Sequence, residues 1–510
     1  MNFCLMFMFR NLNKIKVKIA IIGSGFSSLS AACYLAKNGC EVEVYEKNDT
    51  LGGRARQYKK DGFTFDIGPS WYWMPDVFER FFNDFGKQPS DFYELIKLSP
   101  AYKVFFGENN STLIPDNKES VIEVFEKKEK GAGAKLEKFL KNAAYNYEVA
   151  IKDLVYKPGI SPTELVTSRT ITKLNQFVST ISAQVRADFK DPDLRQILEF
   201  PVLFLGAKPS NTPAFYNFMN YADLVLGTWF PKGGMYSVTE AIVTMAKGLG
   251  VKFHTNSDVS KIEVENGEVS GLIVNGELIK SNYVLSGADY HHTEQLLDNQ
   301  YRAYSESYWK SKTFAPSALL FFLGIDKKLK NVEHHNLFFD QDFEAHAKSI
   351  YDKPEWPAAP LFYANITSIT EEGLAPKGKE TAFFLIPLAP GLEDTQELRN
   401  KYFEMIMDRF EDLTQQEVRK HIVLNKSYCV NDFKKDYNSY GGNAYGLANT
   451  LMQTAFLRPK IKSKKVKGLY FTGQLTVPGP GVPPALISGK IASSLIIKEL
   501  KKVRKHEVTV

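Results

Sequence analysis

The sequence predicts a mixed α/β (α+β) protein with a discontinuous Rossmann-like nucleotide-binding domain, an inserted substrate domain and a helical region that could face a membrane. Three observations support this prediction. A glycine-rich strand–turn–helix pattern stands near the N-terminus, a second glycine-ended strand followed by a helix stands near the C-terminus, and most bulky aromatic residues lie between them. Because both patterns are expected to build one domain, the residues between them form an insertion.

Composition narrows the class of protein. Of 510 residues, 44% are apolar and 24% are charged, the balance of a folded chain. The net charge of +6 is small for this length and does not indicate a nucleic-acid partner. The four cysteines match neither a disulfide framework nor a zinc pattern, so a reducing, cytoplasmic setting is expected. No apolar run approaches the roughly 20 residues of a membrane-spanning helix.

The first predicted elements form a strand–helix–strand unit. Residues 17–22 are a β-branched run typical of a buried parallel strand, and residues 29–38 have the Ala- and Leu-rich pattern of a helix that ends before Gly39. Residues 41–45 then form the second strand. Residues 1–14 precede this unit and lack the features of a signal peptide, so they are expected to be an extension.

The turn of this unit has the composition of a dinucleotide site. Gly23 permits the tight turn, and Gly25 lets the backbone approach a pyrophosphate at the helix N-terminus. Glu46 directly follows the second strand, where an acidic side chain accepts hydrogen bonds from a ribose. Ser28 replaces the third glycine of the fingerprint, and it is small enough for close packing between helix and strand.

The residues after Glu46 favour FAD over a freely exchanging nicotinamide. Gly52, Gly53 and Arg54 come next, and a Gly-Pro pair stands at 68–69. A second glycine pair and an arginine beside the pyrophosphate are expected where a bulky cofactor is held.

A second cradle for the same cofactor is predicted near the C-terminus. Residues 468–473 form a strand that runs into glycine, residues 478–484 are too rich in proline for a helix or a central strand, and residues 485–500 recover helical spacing. A glycine-ended strand before a helix N-terminus can hold a phosphate or a flavin. The predicted domains are therefore FAD-binding segments at 15–75, 226–300 and 461–500, a helical substrate region at 76–225, a substrate domain at 301–460, and a basic tail at 501–510.

Four segments resemble the carotenoid desaturase branch of the flavin amine oxidase superfamily, and specifically bacterial-type phytoene desaturases. The first is typical of the superfamily, and the last two are more specific to carotenoid desaturases and related polyene oxidoreductases. The resemblance extends from about residue 16 to residue 500. The segments are GSGFSSLSAACYLAKNGCEVEVYEKNDTLGGRARQ, DIGPSWYWMPDVFERFF, GTWFPKGGMYSVTEAI and LYFTGQLTVPGPGVPPALISG.

The resemblance implies a noncovalent FAD and a set of residues that hold its pyrophosphate, ribose, adenine and isoalloxazine. Gln474 departs from the family pattern, because amine oxidases of the superfamily carry an acid there. No catalytic base is assigned, since Asp66, Glu240 and Gln474 each have a structural explanation. The implied FAD-binding residues are Gly23, Gly25, Ser28, Glu46, Lys47, Gly52, Gly53, Arg54, Gly68, Pro69, Val259, Gly473, Gln474, Gly481, Val482 and Pro483.

The implied activity is desaturation of an acyclic carotenoid precursor, from phytoene towards lycopene. A hydride passes to the flavin while a proton leaves the neighbouring carbon, and oxygen or a quinone reoxidises the flavin. Three alternatives stay open at this point. They are a related polyene oxidoreductase (a later carotenoid desaturase, an isomerase or a saturase), an amine oxidase, and a prenyl-lipid-binding chaperone that needs no flavin.

The aromatic residues of the inserted regions suit a long apolar tunnel for a hydrocarbon chain. Any single one of them is more often part of the core. The residues considered are Phe78, Phe81, Phe82, Phe85, Phe105, Phe106, Phe200, Phe204, Phe215, Tyr216, Phe218, Phe321, Phe322, Phe338, Phe339, Phe383 and Phe384.

Two patterns in the middle of the chain indicate structure rather than chemistry. Asn-Gly pairs at 266–267 and 275–276 interrupt β-rich runs between residues 252 and 284, and they predict hairpins of an antiparallel layer. His-His pairs at 291–292 and 334–335 have no acid or cysteine at ligand spacing, so no metal site is predicted.

Basic residues late in the chain suggest attachment to an anionic membrane surface, the alternative being an ordinary solvated face. Each cation near such a surface adds about 1 kcal/mol. A protein held peripherally at the inner face of the cell membrane could extract a bilayer-dissolved polyene. The basic residues are Arg458, Lys460, Lys462, Lys464, Lys465, Lys467, Lys498, Lys501, Lys502, Arg504 and Lys505.

Overall fold

The computed structural model describes residues 17–166, 168–171, 176, 179–450 and 452–509, so the predicted N-terminal extension at 1–14 lies outside the described residues. The strands are β1 (Lys18–Ile22), β2 (Glu41–Tyr45), β3 (Gln57–Lys60), β4 (Phe63–Asp66), β5 (Leu95–Lys97), β6 (Tyr102–Gly107), β7 (Asn110–Ile114), β8 (Trp229–Pro231), β9 (Lys252–His254), β10 (Val259–Glu265), β11 (Glu268–Val274), β12 (Glu277–Lys280), β13 (Tyr283–Ser286), β14 (Ser317–Ile325), β15 (His335–Phe338), β16 (Phe362–Asn365), β17 (Glu380–Leu388), β18 (Ile422–Tyr428) and β19 (Leu469–Phe471).

Helices surround these strands. They are α1 (Phe26–Lys37), α2 (Pro75–Asn83), α3 (Lys118–Lys128), α4 (Ala132–Val149), α5 (Ser168–Ile171), α6 (Ile181–Asp188), α7 (Pro192–Glu199), α8 (Phe218–Leu224), α9 (Met235–Gly248), α10 (Tyr290–Gln295), α11 (Glu306–Lys310), α12 (Phe343–Tyr351), α13 (Gln396–Thr414), α14 (Val430–Tyr437) and α15 (Val482–Thr509). Of the described helices, none combines the length and apolarity needed to cross a bilayer.

A five-stranded parallel sheet, in the order β19-β13-β1-β2-β9, forms the centre of the nucleotide-binding domain. Its strands come from the N-terminal, central and C-terminal parts of the chain, so the domain is discontinuous as predicted. The strand–helix–strand unit is confirmed as well. Helix α1 begins at Phe26 rather than at residue 29, because Gly25 is its N-cap and Ser27 and Ser28 form its first turn.

The C-terminal helix α15 also begins earlier than predicted. The prolines at 483 and 484 were expected to exclude residues 482–484 from a helix, but both lie in its first turn. Proline is tolerated there because the first N–H groups of a helix have no intrahelical partner. Residues 501–509, the predicted basic tail, continue the same helix.

Helices α1 and α15 make a close contact that depends on Gly489. A Cβ atom at this position would lie 2.3 Å from the carbonyl oxygen of Ser27 and 2.8 Å from Cβ of Ser30. Ser30 Oγ donates a 2.8 Å hydrogen bond to the carbonyl oxygen of Leu486 across the same contact. This contact brings the two predicted halves of the cofactor cradle together.

The predicted hairpins are present in a three-stranded antiparallel layer, β10-β11-β12. Asn266 and Asn275 have φ of 52° and 49°, and each is followed by a glycine with positive φ, the backbone of a tight two-residue hairpin turn. The outer parts of the predicted β-rich run behave differently, because β9 and β13 belong to the parallel sheet instead.

The inserted regions share a seven-stranded sheet, in the order β18-β14-β17-β16-β15-β6-β7. Strand β17 shows how its two faces differ. Phe383 and Leu385 line a large cavity, whereas Phe384 and Ile386 pack on the opposite face against α13, where the rings of Phe384 and Phe410 are 5.1 Å apart. The sheet therefore separates the cavity from a second apolar core.

We expect Gly489→Ala to lower the free energy of unfolding by about 1–3 kcal/mol, because the added methyl group must push the two helices apart. Chemical denaturation followed by circular dichroism would measure the change. The matched control is Gly248→Ala at the exposed end of α9, where a Cβ meets no atom within 4 Å. Equal stability of the two variants would contradict the role given to this contact.

Candidate functional site

A cavity of about 740 Å³ joins the glycine-rich motifs to the apolar inserted regions. Fifteen of the sixteen residues that the sequence predicts to hold FAD line this cavity, although they come from both ends and the middle of the chain. They are Gly23, Gly25, Glu46, Lys47, Gly52, Gly53, Arg54, Gly68, Pro69, Val259, Gly473, Gln474, Gly481, Val482 and Pro483.

Ser28 is the sixteenth residue, and the prediction that it contacts the pyrophosphate needs correction. It is fully buried in α1 and does not line the cavity. A Cβ atom on Gly287 would lie 2.0 Å from Ser28 Oγ, so this side chain fills the contact between α1 and the residues after β13. The third position of the fingerprint serves close packing, which explains why a small serine can replace glycine.

Glu46 is held in one orientation at the end of β2. Its Oε2 accepts hydrogen bonds from the backbone N–H and the hydroxyl of Ser24, at 2.9 and 2.7 Å, and its Oε1 accepts two from Asn48, at 3.0 and 2.8 Å. No sequence pattern predicted a role for Ser24 or Asn48. Their hydrogen bonds fix the buried carboxylate at the cavity wall, where a ribose would bind.

Three glycines of the cradle, at positions 52, 53 and 68, have close neighbours that leave little room for a side chain. A Cβ on Gly52 would lie 2.9 Å from Cγ2 of Thr239, and one on Gly53 would lie 3.1 Å from Cα of Gly25. A Cβ on Gly68 would lie only 2.4 Å from the carbonyl oxygen of Arg54. Gly25 itself has no atom within 4 Å of an added Cβ, and no side chain caps α1. The N-terminus of α1 is thus open to a phosphate.

Arg54 supplies a partly buried positive charge beside this cradle. Its Nη2 donates a 3.3 Å hydrogen bond to the carbonyl oxygen of Asn443, and its guanidinium lies over the ring of Tyr437, 4.9 Å from the ring centre. Its Nε has no hydrogen-bond partner among the described residues, and burial lowers the pKa of this arginine. A partly buried guanidinium whose buried Nε–H is unused fits an anionic pyrophosphate.

The C-terminal cradle closes the other side of the cavity. Gly473, with φ of 102°, donates its N–H to Ser488 Oγ at 2.9 Å. Gln474 is neutral and makes a long hydrogen bond of 3.5 Å from Nε2 to Oδ1 of Asn443. Arg458 donates to the carbonyl oxygens of Gln474 and Leu447, at 3.1 and 2.8 Å. Its inclusion in a basic surface cluster was wrong, because Arg458 is buried and burial lowers its pKa to about 10.

Neither Asp66 nor Glu240, the two acids considered as proton acceptors, lines the cavity. Asp66 accepts hydrogen bonds from the N–H groups of Met235 and Tyr236, at 2.6 and 3.2 Å, so it caps the start of α9. Burial raises the pKa of Asp66 to about 7, but this side chain does not line the cavity. Glu240 is exposed on the same helix.

An aromatic-lined cavity is present, but fewer of the predicted aromatic residues line it than expected. Seven of the seventeen aromatic residues line the cavity, namely Phe200, Phe204, Phe215, Tyr216, Phe218, Phe339 and Phe383. The other ten pack elsewhere, because sequence does not show which face of a strand or helix meets the cavity. They are Phe78, Phe81, Phe82, Phe85, Phe105, Phe106, Phe321, Phe322, Phe338 and Phe384. Trp71, Trp73 and Tyr363 line the cavity and were missed.

One histidine of each His-His pair makes a hydrogen bond to an acidic or hydroxyl side chain. His291 Nε2 is 2.9 Å from Glu306 Oε1, and His334 Nδ1 is 2.7 Å from Thr370 Oγ1. Across the described ranges, no three His, Cys, Asp or Glu side chains are grouped to hold a metal ion.

Comparisons with known proteins agree with this geometry. A family model described as flavin containing amine oxidoreductase matches residues 26–497. The chain is 40% identical, over 486 residues, to a carotenoid 3,4-desaturase from Haloarcula japonica, covering 94% of this chain and 98% of that protein. It is also 30% identical to a 4,4'-diapophytoene desaturase from Staphylococcus haemolyticus, covering 95% and 99%.

The chain belongs to the carotenoid desaturase family, within the flavin containing amine oxidoreductases. A solved oxidoreductase from Methanosarcina mazei has the same fold, with a TM-score of 0.60 at 18% identity over 93% of this chain and 99% of that one. The cofactor of this family member is FAD, and the protein is an FAD-dependent oxidoreductase. The glycine cradle, the ribose-side carboxylate of Glu46 and the unused N–H of Arg54 fit that cofactor.

We expect Arg54→Met to weaken FAD binding by roughly 10- to 150-fold, because a hydrogen bond to a charged group contributes about 1.5–3 kcal/mol. Titration of FAD into flavin-depleted protein would measure the dissociation constant. The control is Arg80→Met, since Arg80 also stacks on a tyrosine, at 4.0 Å from the Tyr156 ring centre, but lies outside the cavity. If the two variants bound FAD equally well, Arg54 would not be a phosphate ligand.

Proposed function

We propose that the protein desaturates an acyclic carotenoid chain. The main support for this proposal is a single cavity that has a cradle for an anionic dinucleotide at one end and a wall of aromatic and aliphatic side chains at the other. A hydrocarbon requires shape and apolar contact but few polar anchors. Such a cavity can therefore hold a polyene against the flavin ring and keep water away from both.

Bound FAD supplies the hydride acceptor, and the residues of this chain supply position and surroundings. Trp73, Phe200 and Phe204 form a compact aromatic group in the wall, with ring centres of Trp73 and Phe204 4.9 Å apart. Rigid rings of this kind limit the orientations of a long chain and fix which carbons face the flavin. Oxygen or a quinone is the proposed acceptor of the electrons.

Phytoene, converted towards lycopene, is the substrate that the sequence motifs favour. A second candidate is the 3,4-desaturation of a carotenoid that is already conjugated. It is favoured by the 40% identity with the Haloarcula japonica protein, which exceeds the 30% identity with the diapophytoene desaturase. Both candidates need the same cofactor geometry and differ in which part of the chain reaches the flavin.

We expect purified protein with added FAD to form new long-wavelength, fine-structured absorption bands from a carotenoid held in anionic liposomes. Phytoene and lycopene are tested separately, because bands from phytoene support the first candidate and a red shift from lycopene alone supports the second. Flavin-depleted protein is the control. Absence of product from both substrates while the protein retains flavin would contradict the proposed activity, and peroxide formation with a primary amine would instead indicate an amine oxidase.

We also propose that the protein attaches peripherally to the cytoplasmic face of the cell membrane, through an apolar rim of the cavity. Ile160, Val166 and Met452 have exposed fractions of 64%, 61% and 75%. Each is close in sequence to residues that line the cavity, such as Gly159 and Leu165. Because the proposed substrate dissolves in lipid, the occupant of this rim is a bilayer.

The basic cluster supports this attachment less than the apolar rim does. Lys467 is paired with Glu268 at 2.6 Å, Lys462 is paired with Glu499, and Lys465 Nζ donates to the carbonyl oxygen of Gln300. Paired cations contribute less attraction to an anionic surface than free ones. Lys157, an exposed residue that lines the cavity, is better placed to meet lipid headgroups at the rim.

We expect Ile160→Asp with Met452→Asp to lower flotation of the protein with anionic phospholipid vesicles by about tenfold, because two apolar contacts become charged. Leu278→Asp is the control, since Leu278 is 53% exposed on strand β12 of the nucleotide-binding domain. If the rim variant floated like the control, the proposed attachment site would be wrong.

A further inference from the structure

A buried polar cluster lies behind the apolar wall of the cavity and has no part in the function described so far. Ser70, Trp71 and Tyr363 line the cavity, whereas His335 and Asn365 lie behind them and are buried. The Tyr363 hydroxyl is 2.6 Å from His335 Nδ1 and 3.1 Å from Ser70 Oγ. Tyr363 therefore connects the cavity to His335, which does not itself line the cavity.

The neighbours of His335 fix which of its ring nitrogens lacks a proton. Asn365 Nδ2 donates to the carbonyl oxygen of His334 at 3.1 Å and also lies 3.2 Å from His335 Nδ1. An amide NH₂ group carries hydrogens and no acceptor, so the ring nitrogen that faces it is the one without a proton. The Tyr363 hydroxyl has one hydrogen, which it can direct to this Nδ1 or to Ser70 Oγ, and the proton of neutral His335 is on Nε2, which has no hydrogen-bond partner among the described residues.

A transient positive charge on the ring of His335 would be stabilised by a stacked aromatic ring rather than by an acid. The His335 ring stacks on Trp71, with ring centres 3.9 Å apart and planes 9° apart. Tryptophan is the best aromatic partner for a cation. Burial holds the pKa of His335 well below its ordinary value, so the ring is neutral at neutral pH and would hold an additional proton only transiently.

The Tyr363 hydroxyl also lies close to the cofactor cradle. Ser70 directly follows Gly68 and Pro69, and all three line the same cavity. The Tyr363 hydroxyl, within 3.1 Å of Ser70, is thus a polar atom at the junction between the cradle and the apolar wall. Asp66 and Glu240, the acids that sequence analysis considered, do not line the cavity.

We propose that Tyr363 and His335 together take up the proton that the substrate loses. The inference rests on the proposed function, in which a hydride leaves one substrate carbon for FAD. The neighbouring C–H bond breaks, its electron pair forms the new double bond, and its proton goes to the Tyr363 oxygen as the Tyr363 O–H proton passes to His335 Nδ1. Tyr363 is the group that contacts the substrate, His335 positions and deprotonates it, and this transfer occurs in the step that limits flavin reduction.

The test is anaerobic mixing of the FAD-loaded protein with its carotenoid substrate, followed by loss of flavin absorbance. Because the O–H and N–H protons of the pair exchange with solvent, we expect wild-type flavin reduction to be slower in D₂O than in H₂O. Tyr363→Phe is expected to reduce flavin about 10²- to 10⁴-fold more slowly, the usual contribution of a general base, while binding substrate with unchanged affinity. The solvent isotope effect should disappear in this variant.

The matched control is Tyr402→Phe, because Tyr402 is buried on the opposite side of the same sheet and donates to the carbonyl oxygen of Pro357 at 2.6 Å. It should reduce flavin at the wild-type rate. Equal wild-type rates in H₂O and D₂O overturn the proposal without any variant, and so does a Tyr363→Phe protein that reduces flavin as fast as the control. Failure of every polyene to reduce the wild-type flavin would instead contradict the proposed function.

Discussion

The contact between α1 and α15 is the constraint on which the rest of the site depends. The backbone of α1 lies so close to Gly489 that a Cβ atom there would clash with the carbonyl oxygen of Ser27. Across the same contact, Ser30 Oγ donates a hydrogen bond to the carbonyl oxygen of Leu486. Together with the pairing of β19 beside β13, this contact brings residues from opposite ends of the chain into one cradle. The inserted regions are then held over the open side of that cradle, where their sheet closes the cavity.

The seven-stranded sheet supplies much of the apolar wall of the cavity. Alternate side chains of β17 face the cavity and the second core, so the same strand supplies both an apolar wall and a stable support for it. Polar groups that border the cavity, such as Glu46 and Tyr363, are held by hydrogen bonds to neighbouring residues. An apolar substrate therefore meets a rigid surface on which a few polar atoms have defined positions.

The sequence predicts those parts of the fold and the site that depend on local spacing or on residues with special backbone conformations, such as glycine and asparagine. The first strand–helix–strand unit and the hairpins at Asn266 and Asn275 follow from glycine, asparagine and acidic residues at fixed spacing. The fifteen cavity-lining residues of the cradle follow from the family resemblance as well. Burial and facing depend on tertiary contacts, which spacing does not show. Arg458 was thus wrongly assigned to the surface, and the sequence did not show which of the seventeen aromatic residues pack away from the cavity. The link between Tyr363, on β16, and Ser70, in the loop between β4 and α2, joins segments distant in sequence and left no signal.

The most direct test of the account is a crystal structure of the FAD-loaded protein with a bound acyclic polyene. The account predicts that the FAD pyrophosphate lies at Gly25 and Arg54, and that the polyene extends from the isoalloxazine ring along Phe200 and Phe204. A polyene bound outside this cavity, or a cofactor whose pyrophosphate lies away from Gly25 and Arg54, would contradict the claim that one cavity brings both molecules together.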